Sequence, residues 1–94
     1  MSDTVIHDPA QNRYVLERDG AELGQTVYEL VGHDIRFLHT EIDPKLQEHG
    51  LGTTLVTGAL DQVRSETEFR VVALCPFVAR FIAEHPDYQD LTSR

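Results

Sequence analysis

Three groups of residues in this chain have the types and spacing to do chemistry. The first is Gln47-Glu48-His49-Gly50-Leu51-Gly52, followed by Thr53. An apolar, strand-like run precedes it and an amphipathic pattern follows it. Two glycines spaced Gly-x-Gly at a strand-to-helix junction let the backbone turn tightly and aim successive N–H groups outward. Free N–H groups at a helix start favour an anion such as a phosphate or pyrophosphate. The motif is not a Walker loop, because no Lys-Ser or Lys-Thr pair follows the glycines. Nor is it a full dinucleotide fingerprint, since Leu55 stands where the third glycine belongs. A glycine-rich turn that merely connects two elements explains the same residues, and the residues alone leave both readings open.

The second group is a single residue, Cys75, directly before Pro76. A cysteine at a helix N-cap feels the helix dipole and free N–H groups, which favour a thiolate. A buried structural cysteine is the alternative. The third group is His39-Thr40-Glu41, near the end of an apolar run. In a strand, His39 and Glu41 share one face and Thr40 takes the other. His39 could act as a general base or orient an amine; an ordinary polar strand end is the competing explanation, and the stronger one for Glu41. The five histidines show no metal spacing and no second cysteine supports zinc, so no metal site is expected.

The elements that must position these groups follow from the pattern. Tyr14-Val15-Leu16 reads as a strand, Asp19-Gly20 as a turn, and Ala21 to Leu30 as the return strand. Ile35 to Ile42 is a third strand, ended by Asp43-Pro44. Residues 1 to 12 are polar apart from Val5-Ile6 and break at Asp8-Pro9. A helix from Thr53 to about Ser65 carries Leu55, Val56, Ala59, Leu60 and Val63 on one face. Phe69 to Leu74 reads as a buried strand. Strand, helix and strand over residues 35 to 74 make a β-α-β crossover with two parallel strands. Pro76 opens a second helix with a buried stripe of Phe77, Val78, Phe81 and Ile82, stopped at His85-Pro86. The tail packs by Tyr88 and Leu91 and then frays. The predicted class is α/β, more narrowly α+β: an antiparallel meander, a crossover and a C-terminal helix, in the order β-β-β-α-β-α. Ligands in such sheets gather outside the carboxyl ends of the strands. The loop at Gly50 and the thiol of Cys75 should therefore converge there.

The bulk numbers bound the answer. The 94 residues make one domain, spanning 1–94, with a modest core. A net charge of −8 argues against nucleic acid and against an anionic membrane surface. No run approaches the roughly 18 apolar residues of a membrane span. The N-terminus, Met1-Ser2-Asp3-Thr4, is acidic where a secretory signal is basic and then apolar. One cysteine excludes an internal disulfide framework. A cytoplasmic, reduced protein is the expectation. Nothing in the sequence sets an oligomeric state, and a monomer is the simpler case.

Phe37-Leu38-His39-Thr40-Glu41-Ile42, Gln47-x-x-Gly50-x-Gly52, Leu74-Cys75-Pro76-Phe77-Val78 and His85-Pro86-x-Tyr88 occur in that order. Together they resemble the compact, single-domain, YjdJ-type members of the GNAT acetyltransferase superfamily. The resemblance implies an acetyl-CoA site and an unidentified amine acceptor, small molecule or protein. Amides of Gln47, Glu48, His49, Gly50, Leu51, Gly52 and Thr53 would hold the CoA diphosphate. The backbone at Glu41 and Ile42 would pair with the pantetheine arm. Cys75 would take the acetyl group or protonate the departing thiolate, and His39 would be the base for the acceptor. Two departures stand out. Standard members carry two helices after the first strand, where this chain offers a turn. They also usually place a Tyr acid on the last helix, where this chain has Phe77 and Phe81. The function expected is acetyl-CoA-dependent N-acetyl transfer, possible through Cys75; the alternatives are a non-catalytic acyl-CoA-binding or regulatory module, and an interaction domain with the loop empty.

Overall fold

Hairpin chemistry builds the first half of the molecule. The computed structural model describes residues 3–46 and 50–94; Gln47, Glu48 and His49 lie outside the described residues. Strands β1 (Asp3–Asp8), β2 (Arg13–Arg18), β3 (Ala21–Val31) and β4 (Asp34–Ile42) run as an antiparallel meander. Asp19 and Gly20 both adopt positive φ (53° and 82°), as a two-residue hairpin between right-twisted strands requires. Helix α1 (Leu51–Glu66) crosses over to β5 (Arg70–Ala73), which pairs with β4 in parallel. Helix α2 (Pro76–Glu84) and a 3-10 segment (Pro86–Ser93) complete the chain. The sheet order is β1-β2-β3-β4-β5. The α+β class and the order of the later elements agree with the sequence pattern, and one strand more is present at the front.

That extra strand, β1, comes from residues that read as polar. It pairs with β2 along its whole length, from Asp3↔Arg18 to Asp8↔Arg13. Arg18 binds Asp3 at 2.7 Å and Arg13 binds Asp8 at 2.9 Å, so ion pairs hold both ends. Val5 docks on α1 at Gly58, and Gln62 donates to the Val5 carbonyl at 2.8 Å. A turn at Pro9–Gln11 then leads into β2. The short connection that follows the first strand is thus Pro9–Gln11, not the Asp19-Gly20 hairpin.

Both helices lie on one face of the sheet. Leu55, Val56, Leu60 and Val63 of α1 and Val78, Phe81 and Ile82 of α2 share one core with Tyr14, Leu16, Tyr28, Ile35, Phe37 and Val71. Burying that set removes apolar area worth about 25 cal/mol per Å2 from water, the main favourable term in folding. Among the described residues neither α1 nor α2 covers the opposite face, which carries Arg13, Val15, Gln25, His39 and Glu41. Phe77 departs from expectation: it is 42% exposed rather than part of the buried stripe. The tail departs as well. Leu91 is fully buried, and the Tyr88 hydroxyl donates to Asp61 at 2.7 Å. Arg94 donates to the carbonyls of Val63, Thr67 and Phe69, which ties the chain end to the last turn of α1 and the segment after it. The tail is therefore tied down instead of frayed. No helix among the described residues is long and apolar enough to cross a membrane.

Candidate active site

The site begins where two parallel strands part. β4 and β5 pair from Asp34↔Arg70 to Phe37↔Ala73. The N–H groups of Leu74 and Cys75 then both donate to the Phe37 carbonyl, at 3.0 and 2.8 Å. Pro76 has no N–H to continue the ladder and opens α2 instead. β4 runs on to Ile42 beside β3, and among the described residues its β5-facing edge has no strand partner from Leu38 onward. A bulge marks the change: Tyr28 pairs with Phe37 and Val27 with His39, leaving Leu38 extra. The extra residue resets the alternation. Thr40, not His39, therefore shares the inward face with Phe37.

Cys75 is 4% exposed and occupies the N-cap position of α2, where the sequence placed it. Its Sγ donates to Thr40 Oγ1 at 3.5 Å, and Thr40 Oγ1 shares a hydrogen with Thr26 Oγ1 at 2.9 Å. His39 and Glu41 lie on the other, open face. Their side chains are 63% and 55% exposed and meet at 3.3 Å. Gln25 donates to Glu41 at 2.6 Å. That bond, and then the one from His39, holds the Glu41 carboxyl below its ordinary value. The fold thus brings Cys75 to Thr40, the neighbour of Glu41 in β4. It does not bring His39 to Cys75; the strand stands between them.

Helix α1 supplies the next part of the site. It starts at Leu51, two residues before the expected Thr53. Gly50 caps it in a left-handed conformation, φ 85°, that an L side chain rarely adopts. Among the described residues no side chain caps the helix, and its first turn holds no acidic residue. The first-turn N–H groups of Leu51, Gly52 and Thr53 have no partner within the helix, and the positive end of the helix dipole favours an anion there. The Leu51 side chain is buried in the core, so only its backbone is available. A methyl group at Gly52 would meet the Phe77 ring at 2.7 Å, so that glycine lets α1 and α2 touch. Beside this contact lies a groove of about 240 Å3, lined by Thr53, Phe77, Arg80, Phe81, Glu84 and His85. A second hollow of about 300 Å3 sits against the free end of β4, between Gly24, Gln25, Glu41 and Ile42. Sequence reasoning missed Thr26, Thr40 as a contact of Cys75, and the groove at Arg80. Only the bulge, invisible in the pattern, could have pointed Thr40 inward.

The hydroxyls of two tyrosines are engaged elsewhere: Tyr28 with His7 at 2.6 Å and Tyr88 with Asp61. The Asp61 bond pushes the Tyr88 hydroxyl up to about 12, unsuited to giving a proton at neutral pH. No group of three or more His, Cys, Asp or Glu among the described residues could hold a metal ion. The geometry is that of a parted parallel pair beside a helix that starts at a glycine cap. The family model described as GCN5-related N-acetyl-transferase matches residues 13–91. The chain belongs to that family. As a GCN5-related N-acetyltransferase it is an acyltransferase, and the match begins at β2, leaving β1 outside it. No curated protein matches the chain.

Proposed function

We propose that the protein transfers an acetyl group from acetyl-CoA to an amine, with the thioester lodged where β4 and β5 part. One observation carries this reading: among the described residues, a strand edge without a strand partner, a glycine-capped helix N-terminus and Cys75 lie at the same end of the sheet. An extended pantetheine arm can add to the free edge at Glu41 and Ile42, as a strand would. The diphosphate suits the amides of Gly50, Leu51, Gly52 and Thr53. Gln47, Glu48 and His49, which the family resemblance adds to this loop, remain part of the proposal. The groove at Phe77 and Arg80 has the aromatic ring and the cation that the nucleotide end needs.

The amine then approaches over the open face, where His39 and Glu41 lie. His39 accepts a proton from the amine, which attacks the thioester carbon. The C–N bond forms, the C–S bond breaks, and the CoA sulfur leaves as a thiolate. Cys75, on the inward face, either protonates that thiolate or first takes the acetyl group as its own thioester. In the second route the Cys75 sulfur attacks first, CoA departs, and the amine displaces Cys75. Much of the rate comes from holding amine and thioester in line. The acceptor belongs to the amine class; the open face sets no upper limit on its size.

Thermal unfolding with CoA tests the pocket, and intact mass after acetyl-CoA tests the thiol. Ligand at a hundred times its dissociation constant stabilises a fold by about 2.7 kcal/mol. An acetyl adduct absent from Cys75→Ser establishes the covalent route. A thermal response with no adduct and no CoA release across an amine panel makes the protein an acyl-CoA-binding module. No response at all removes the reading.

A further inference from the structure

Thr26 is the one polar residue among the described residues that is buried, at 0% exposure. It lies on the inward face of β3, with Tyr14 and Thr40 directly across from it in the neighbouring strands. A buried hydroxyl without a partner costs stability, so its place has to be explained by what it bonds. Its bond runs across the ladder to Thr40 Oγ1 at 2.9 Å, and Thr40 in turn receives the Cys75 thiol at 3.5 Å. The three groups form a chain: sulfur, hydroxyl, hydroxyl.

We infer that Thr40, backed by Thr26, is a positioning residue that stabilises the ionised form of Cys75. The inference rests on the reading of Cys75 as the reacting thiol. A threonine hydroxyl carries one donor and two acceptor sites, so the chain can run in two directions. With the thiol protonated, S–H donates to Thr40 and Thr40 donates to Thr26. When the S–H bond breaks, the proton goes to solvent base or to the departing CoA sulfur. Thr40 then turns its O–H to the sulfur anion, and Thr26 turns its own O–H to Thr40. No heavy atom moves. A hydrogen bond to a charged acceptor is stronger than one to a neutral acceptor, and the second hydroxyl polarises the first. Thr26 is sealed from water, so the chain stabilises charge and does not carry the proton away. The bulge at Leu38 is what makes the arrangement possible, since without it Thr40 would face outward.

The test exploits the single cysteine. Far-ultraviolet thiolate absorbance is followed against pH in the free protein, with Cys75→Ser as the blank. Thr40→Val keeps the shape and deletes the hydroxyl; Thr40→Ser keeps the hydroxyl. Thr40→Val should hold about tenfold less thiolate than the wild type at neutral pH, and Thr40→Ser should restore it. A merely structural role for Thr40 would lower stability without displacing the titration. If Thr40→Val does not fold, Thr26→Val/Thr40→Val carries the measurement, because removing both hydroxyls leaves no buried hydroxyl unpaired. Coincident curves for the wild type and the valine variant that folds overturn the inference. The titration contains no acetyl-CoA, so it succeeds or fails independently of the acetyl-adduct experiment: a missing adduct sinks Cys75 as acyl carrier and leaves the titration result standing.

Discussion

The two halves of β4 do different work, although they belong to one continuous strand. From Asp34 to Phe37 it lies between β3 and β5, and Ile35 and Phe37 are buried in the common core. From Leu38 to Ile42 it has β3 on one side and no strand on the other, and no residue there is fully buried. The first half has its backbone groups paired on both edges and is therefore rigid. The second keeps a row of main-chain donors and acceptors for something else, which in an exposed edge strand is a liability unless a partner uses it. The boundary is made by two small events, the extra residue at Leu38 and the departure of the chain at Cys75-Pro76. An open edge thus needs no special loop. It needs one strand to outlast its neighbour.

The sharpest way to break that contrast is to remove side chains on either side of the boundary. Phe37→Ala should cost about 3–5 kcal/mol of stability, a large share of the roughly 5–15 kcal/mol that holds a typical domain. Leu38→Ala, one residue further and 39% exposed, should cost about 0.5 kcal/mol or less. Denaturant midpoints of the two variants check this. Similar losses would mean that the two halves share one packing environment.

A gentler substitution acts on the open half alone. Gly24 lies opposite Ile42 in β3, and a methyl group there would meet the Glu41 carbonyl at 2.6 Å. Gly24→Ala must therefore push the end of β4 aside, at a cost of about 1–3 kcal/mol. Because it moves the edge proposed for the pantetheine arm, it should also shrink the thermal response to CoA. A variant that loses stability but keeps its full CoA response would separate the edge from the binding site.

Much of this arrangement could be read in the residues. The crossover, the helix faces and the approach of Cys75 to the end of the third predicted strand follow from periodicity and from the rule that ligands collect at the carboxyl ends of strands. β1 could not be read, because its stability comes from pairing with β2 and from ion pairs to Arg13 and Arg18, none of which is local. The exposure of Phe77 was hidden for a similar reason: helical spacing assigns it to the stripe, but α1 meets α2 at Gly52 and leaves the ring at the surface. The tail also looked free, because the carbonyls that Arg94 binds lie some 30 residues earlier in the chain, which no local pattern records. The bulge matters most for the site. Alternation from Phe37 would put His39 inward and Thr40 outward, and one inserted residue reverses that. Such insertions are set by how strands fit across the sheet, not by the residue inserted.

The smallest predicted effect lies at the far end of the closed half. Arg70 grips Asp34 through two parallel bonds, Nε to Oδ1 at 2.9 Å and NH2 to Oδ2 at 3.0 Å. These bonds hold the Asp34 carboxyl below its ordinary value of 3.8. The sign follows from linkage: a carboxyl whose value is lowered by folding adds stability above its unfolded value, and that stability is lost as pH falls through the folded one. Asp34→Asn should therefore be slightly less stable than the wild type at neutral pH. The gap should close progressively below about pH 4, where the wild-type carboxyl takes up its proton. Unfolding midpoints measured for both proteins down the acid range check the convergence. Because the pair ties β4 to β5 where they are still joined, the substitution should leave the CoA response unchanged. A loss of CoA response in Asp34→Asn would show that the closed half sets the width of the gap, and that the two halves of β4 are not independent.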